Sequence, residues 1–187
     1  TLSSSSAASD VYKRQELVQN LLMREIDVAL TLQPPDHPAL SAQALASGVL
    51  VALAPAGYWP LEDEGKPLSL TALADAPLIG LSSADPLSVR LDSYLKAVEP
   101  PPRVSIAVQT YSLARAMVES GAGLAVIDPF TALGASPAAT TIRPLAPALP
   151  ITLYAVTRTA EPPPHTLREL LSLFSSRAQG QLDRWRY

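Results

Sequence analysis

The amino-acid sequence predicts an α/β protein built mainly on parallel β-sheets. Short apolar runs recur along the chain: IDVALTL (26–32), GVLVALAP (48–55), PLIGL (77–81), GLAVIDP (123–129) and ITLYAVT (151–157). Near-continuous runs of this length suit strands buried on both faces. Amphipathic segments with helical spacing fall between them and the connections are short, the alternation that lays helices over parallel strands.

Taken in order, residues 16–25 place Leu17, Val18, Leu21 and Leu22 on one helical stripe that leads into the first run. In PPDHP, Pro34, Pro35 and Pro38 cannot continue a strand ladder, so the chain breaks there. YWPLEDEGKP (58–67) is a polar turn segment in which Glu62, Asp63 and Glu64 read as solvated charges. Ser69 caps a short helix, LTALAD, before the third run. Asp85 and Pro86 form an N-cap and first-turn pair for a helix with Leu87, Leu91, Tyr94, Leu95 and Val98 on one face, stopped by the prolines at 100–102.

RVSIAVQ (103–109) alternates, with Val104, Ile106 and Val108 on one side. Residues 112–120 carry Leu113, Ala116 and Met117 at helical spacing, and Gly121 supplies the stop. A loose Ala-, Pro- and Thr-rich stretch then precedes the last run. Thr166 and Glu169 read as a capping box that opens a final helix with Leu167, Leu170, Leu171 and Phe174 inward. Residues 179–187 read as a tail. No repeat is visible.

Composition narrows the function. Seventeen acidic and fourteen basic side chains in 187 residues leave a net charge of −3, which excludes gripping nucleic acid through bulk charge. The absence of Cys excludes a disulfide scaffold and thiolate metal sites. No apolar run is long enough to span a membrane as a helix. Residues 1–15, TLSSSSAASDVYKRQ, hold five Ser in the first nine positions without the apolar core of a signal peptide. From Ser5 to Gln15 they resemble the in-frame translation of a sequencing-library adapter, so 1–15 is set aside as non-native or disordered and the native reading begins at Glu16.

Catalytic patterns are weak. Gly80-Leu81-Ser82-Ser83-Ala84 approaches the G-x-S-x-G elbow, and Ser82, Asp128 and His165 follow the chain order of α/β-hydrolases. The last glycine is replaced by Ala84, however, no oxyanion segment of HGGG type occurs, and His165 sits in PPPHT. His37 and His165 are isolated, so no metal site is expected, and no dinucleotide or phosphate-loop glycine pattern suggests a cofactor. Binding fits better. Ligands of open α/β sheets collect beyond the carboxyl ends of strands, near helix N-termini. Small polar groups stand at four such ends: Thr31, Ser82 with Ser83, Thr110 with Ser112, and Asp128. The hydroxyls and helix N–H groups suit a carboxylate and Asp128 suits an ammonium, so a zwitterionic or amino-acid-like ligand fits the set.

EIDVALTL, GVLVALAP, PLSLTALADAPLIGLS, VQTYSLARAMVESGAGLAVIDPFTAL and ITLYAVTR, with a final amphipathic helix, follow one another in an order that resembles the effector-binding domain of LysR-type transcriptional regulators over 16–176. VIDPFTAL resembles the branch that senses amino acids and opines. The resemblance implies two Rossmann-like lobes of type 2 periplasmic-binding-protein kind: lobe one from 16–57 plus 157–178, lobe two from 58–156, and a tail at 179–187. It implies effector contacts at Thr31, Ser82, Ser83, Thr110, Tyr111, Asp128 and Phe130, in the cleft between lobes. The family's winged helix-turn-helix and the first strand and helix of lobe one have no counterpart in the sequence, so lobe one is expected to be incomplete. Expected partners are a small-molecule effector, further copies of the chain through effector domains, and DNA only through a helix-turn-helix outside this sequence. No cofactor, enzymatic activity or membrane association is expected, and the location implied is the bacterial cytoplasm. A solute-binding protein of a transporter with the same fold, and the serine hydrolase, stay as alternatives.

Overall fold

The computed structural model describes residues 15–63, 65–74, 76–82 and 86–185. Nine strands form two sheets among these residues. The first is antiparallel, in the order β1 (Ala29–Thr31), β9 (Pro150–Arg158), β2 (Leu40–Val49). The second has six strands. Their order is β4 (Leu68–Ser69), β8 (Thr140–Ala146), β3 (Val51–Pro55), β7 (Leu124–Ile127), β5 (Leu78–Leu81), β6 (Val104–Val108).

Two crossings join the sheets. β2 passes into β3 with only Leu50 between them, and β8 returns as β9 through residues 147–149. The crossings run in opposite directions, so β2 pairs antiparallel with β9 and β3 antiparallel with β8. Here the mainly parallel expectation gives way to a mixed architecture. Parallel pairing is confined to β5 with β6 and β7, and to β4 with β8. Sheet membership changes at Leu50 and across 147–149.

Two predicted gaps are strands. LSAQALASGV forms all of β2, paired from Leu40 opposite Arg158 to Val49 opposite Pro150 with an irregularity between Ala44 and Ala46. Its alanines and serines carry little β-propensity, and pairing with β9 overrides that preference. The Ala-, Pro- and Thr-rich stretch contains β8. Leu145 N–H donates to the Leu50 carbonyl, so the nitrogen of Pro144 points to the other side, just short of where two-residue β4 begins to pair.

A helix occupies residues 15–22 (α1). It buries Leu21 against Ala29 and Val156, with Leu17 and Ile26 partly buried beside them. Helix α2 (Pro86–Lys96) buries Leu87, Leu91 and Leu95 on one face of the second sheet, and Tyr94 is exposed. Helix α3 (Tyr111–Glu119) covers the opposite face through Ala114 and Val118. That is not the face predicted: Leu113 is half exposed, because the small Ala114 lets the helix approach the sheet closely. At the last strand of the sheet, β6 buries only Val108 of its three predicted inward residues.

After the short helix α4 (Pro129–Ala132) and the last two strands comes α5 (His165–Leu182). Its N-cap is Pro164, without a side-chain cap bond, so the Thr166–Glu169 capping box does not form. Leu171, Ala178 and Leu182 are buried while Leu170 and Phe174 are exposed, a correction to the predicted inward set. The expected tail is also structured. α5 runs to Leu182 and a 3₁₀ turn (Asp183–Trp185) follows, with Trp185 packed among Val51, Leu53 and Leu182.

Candidate functional site at the junction of the two sheets

The strand order brings together residues far apart in sequence. β7, β5 and β6 are adjacent and parallel, so their carboxyl ends lie along one edge: Asp128 after β7, Ser82 after β5, Thr110 after β6. β3 starts at the same edge, with Val51 opposite Ile127, which puts the crossing at Leu50 beside Asp128. β1 ends at Thr31, opposite Tyr154 of β9, so the first sheet also directs a strand end toward the crossings. Asp128, Ser82 and Thr110 thus follow one another along one edge of the second sheet, with Asp128 nearest the crossing, and β1 of the first sheet ends at Thr31 on the side that faces the crossings. Ser83 and Asp85 lie outside the described residues.

Local bonds set each group. Thr31 folds back on its own turn: its hydroxyl donates to the Gln33 carbonyl (3.0 Å) and its oxygen accepts from Gln33 N–H (3.1 Å). Ser82 N–H and Oγ both donate to the Val108 carbonyl, at 2.8 and 3.1 Å, tying the ends of β5 and β6. Thr110 is the N-cap of α3, its Oγ1 accepting from Leu113 N–H at 3.2 Å. Asp128 caps α4. Its Oδ1 accepts from Thr131 N–H (2.8 Å) and its Oδ2 from the Thr131 hydroxyl (2.6 Å). Asp128 is 3 % exposed. Burial pushes its carboxyl above the ordinary value, outweighing the bonds to Thr131 that favour the charged form.

Tyr111 and Phe130 occupy a particular place. Each packs against the apolar clusters on both faces of the second sheet. A side chain reaching both faces must wrap the sheet edge, so these two aromatics close the edge where Ser82, Thr110 and Asp128 stand. Between the sheets lies a recess of about 400 Å³, bordered by Leu32 and Gln33 beyond β1, Tyr154 on β9, and Leu87 and Arg90 on α2. The sequence did not single out Arg90, since a lone cation on an amphipathic helix reads as a solvated side chain. Its guanidinium donates to the Pro150 carbonyl at 2.7 Å, which places it at the junction.

The three residues in hydrolase order are not assembled. No hydrogen bond joins Ser82, Asp128 and His165; Asp128 is bonded to Thr131, and His165 faces Glu169 in the first turn of α5 at 3.6 Å. Among the described residues no group of His, Asp and Glu could hold a metal ion, and no helix is long and apolar enough to cross a membrane.

An α/β fold of two crossed sheets, with polar strand ends gathered at the crossing, defines a class of two-lobed ligand-binding domains. Residues 10–179 match the family model of the LysR substrate binding domain, and the chain belongs to that family, whose members are not enzymes. The match begins inside the segment that resembles an adapter translation. An HTH-type transcriptional regulator, DgcR of Pseudoalteromonas sp, is 31% identical over 121 residues, covering 64% of this chain and 40% of that protein. HinK, a LysR family transcriptional regulator of Pseudomonas aeruginosa, superposes with a TM-score of 0.67 at 20% identity, covering 89% of this chain and 57% of that one. The CcmR regulatory domain of Synechocystis PCC6803, solved in complex with 2-PG, gives 0.63 at 18% identity over 88% of this chain and 79% of that one. The chain therefore spans less than two thirds of the curated relative it matches. The chain shares with these regulatory domains the type 2 periplasmic-binding-protein-like fold.

Proposed function

We propose that this chain is the sensory part of a LysR-type transcriptional regulator and that it holds a small, carboxylate-bearing effector, amino-acid-like in its charge pattern, between its two sheets. The observation that carries the reading is the row of polar strand ends, Asp128, Ser82 and Thr110, on the edge of the second sheet where the crossing at Leu50 lies, with β1 of the first sheet ending at Thr31 toward the crossings. A ligand there touches both lobes and so favours one arrangement of them. It signals only if its affinity differs between arrangements. That the related CcmR regulatory domain was solved with a bound small molecule supports a ligand-holding role for the fold.

The proposed roles follow the geometry. Thr110 uses its oxygen to cap α3, which leaves its O–H to donate to an acid group. Ser82 gives its N–H and hydroxyl to the Val108 carbonyl and so acts by fixing the neighbouring strand end, while Ser83, next in sequence, is proposed to add donors and Thr31 approaches from the first sheet. Asp128, the acid at the strand end beside the crossing, pairs with an ammonium. Tyr111 and Phe130 wall the site. In the whole regulator, DNA contact belongs to a helix-turn-helix and oligomers form through effector domains.

A thermal-shift screen with amino acids, simple carboxylates and amines tests the reading. Carboxylates and amino acids raise the melting temperature, and Asp128→Asn selectively weakens the response to those carrying an ammonium. A screen in which no acid or amino acid shifts the melt overturns it.

A further inference from the structure

We infer that Arg90 is the anchor for the effector's acid group and makes the recess between the sheets selective for carboxylates over their neutral analogues. This rests on the effector-sensing reading above and adds to it the residue that sets charge preference.

Three observations carry it. First, most of the recess wall is apolar, formed by Leu32, Pro34, Leu87 and Ile151, with Gln33 and Tyr154 as neutral polar groups; Arg90 is the one charged side chain bordering it among the described residues. Arg90 is itself exposed, so a carboxylate can reach its guanidinium from solvent while the rest of the ligand lies on the apolar wall. Second, the guanidinium is held in place. One Nη donates to the Pro150 carbonyl, at the start of the strand that returns to the first sheet, and no other side-chain bond engages Arg90 among the described residues. A guanidinium has five N–H donors, so one bond to a carbonyl orients the plane and leaves paired donors for a carboxylate. Third, nothing nearby on α2 neutralises it. Asp92, two residues on, is paired with Lys96 at 2.5 Å.

The arrangement gives Arg90 a second consequence. It reaches from α2, which packs on the second sheet, to the strand that leaves for the first. An acid seated on it therefore lies between α2 and the strand ends of the first sheet, beside Leu32 and Gln33 that follow Thr31, and the apolar wall favours a molecule with one acid end and an apolar body. A recess of about 400 Å³ is the size of small-molecule sites in general.

The test is a calorimetric titration of the chain with 3-phenylpropionate and hexanoate, each beside its uncharged primary amide, for the native protein and the variants Arg90→Gln and Arg90→Lys. Native protein prefers acid over amide by about tenfold or more, the scale of one charge-assisted hydrogen-bonded pair. Arg90→Gln binds acid and amide alike at the native amide affinity. Arg90→Lys falls between, because one ammonium cannot hold the carbonyl and form a paired contact with the acid. Ligand-free melts of each variant separate loss of the Pro150 bond from loss of the ligand bond. If the native protein binds amides as well as acids, or Arg90→Gln keeps the acid preference, Arg90 is only a tether to Pro150, while the recess survives as a ligand site. If neither acid nor amide binds, the anchor falls, and a response to other ligand classes in the thermal screen shows whether effector sensing falls with it.

Discussion

Asp128 distinguishes a capping carboxylate from a ligand-binding one, and two substitutions separate the roles. The residue is 3 % exposed and gives both oxygens to Thr131, so α4 begins on this side chain. Asn is as good an N-cap as Asp and keeps an oxygen for Thr131 N–H, whereas Ala removes the acceptor and costs about 1 kcal/mol, within a range of about 0.5–2. For a domain of this size a loss of about 1 kcal/mol lowers the melting temperature by roughly 2–4 °C. The charge acts in the opposite sense. Because burial raises the folded-state pKa above the unfolded value, the proton binds more tightly to the native state. The stability Asp128 supplies is therefore fully present below the unfolded carboxylate value of about 3.9 and is lost as pH rises through the raised folded value. Asp128→Asn escapes that loss. Urea unfolding at about pH 4 and about pH 7.5 should show the Asn variant gaining on the native protein with rising pH, and the Ala variant less stable than the Asn variant at both. An Asn variant as unstable as the Ala variant would refute the capping geometry. A pH-independent gap between Asn variant and native protein would refute the effect of burial.

Other perturbations have outcomes set by the structure. Trp185→Ala removes a buried indole from among Val51, Leu53 and Leu182 and costs about 3–5 kcal/mol, read by chemical denaturation; a change near zero would return 183–185 to the status of a tail. Gly123 has φ +151°, and a Cβ there would lie 2.3 Å from the Pro77 carbonyl oxygen, the acceptor of Leu124 N–H. Gly123→Ala should thus abolish soluble folded protein, while Gly121→Ala, with φ +85° in open space, costs about 1 kcal/mol in a thermal melt. Arg158 donates to the carbonyls of Leu21 and Ile26 and to the carboxylates of Asp27 and Glu161. Arg158→Lys cannot make all four bonds, so faster amide exchange should appear at the end of α1 with the second sheet unchanged; uniform exchange would show that this knot holds nothing local.

Several elements were legible because their signals are local. The runs that became β3, β5, β7 and β9 are dense in apolar residues and were placed correctly within a few positions. The face of α2 was readable from Leu87, Leu91 and Leu95, whose spacing leaves one stripe to bury. α3 misled because two stripes compete. Leu113 and Met117 are larger, yet Ala114 and Val118 face the sheet, and size is a poor guide when a helix packs close. β2 and β8 were missed because their order comes from partner strands more than a hundred residues away for β2, and from β3 and β4 for β8.

The candidate site divides in the same way. Thr31, Ser82, Thr110 and Asp128 were readable as strand-end polar residues, because small hydroxyl and carboxylate groups at those positions have few uses besides caps and ligands. Arg90 carried no local mark. A cation on a helix surface is indistinguishable in sequence from any solvated arginine until a distant carbonyl, that of Pro150, fixes where it points. The sequence by itself determined that apolar strands alternate with helices, that the family pattern is present, and that polar groups end the strands, since each depends on neighbours within one or two turns of chain. Only the tertiary structure decided which strands cross between sheets, which helix face is buried, and which side chains meet at the crossing. Those depend on pairings between residues tens of positions apart, where geometry is settled by the packed whole and not by any short stretch of chain.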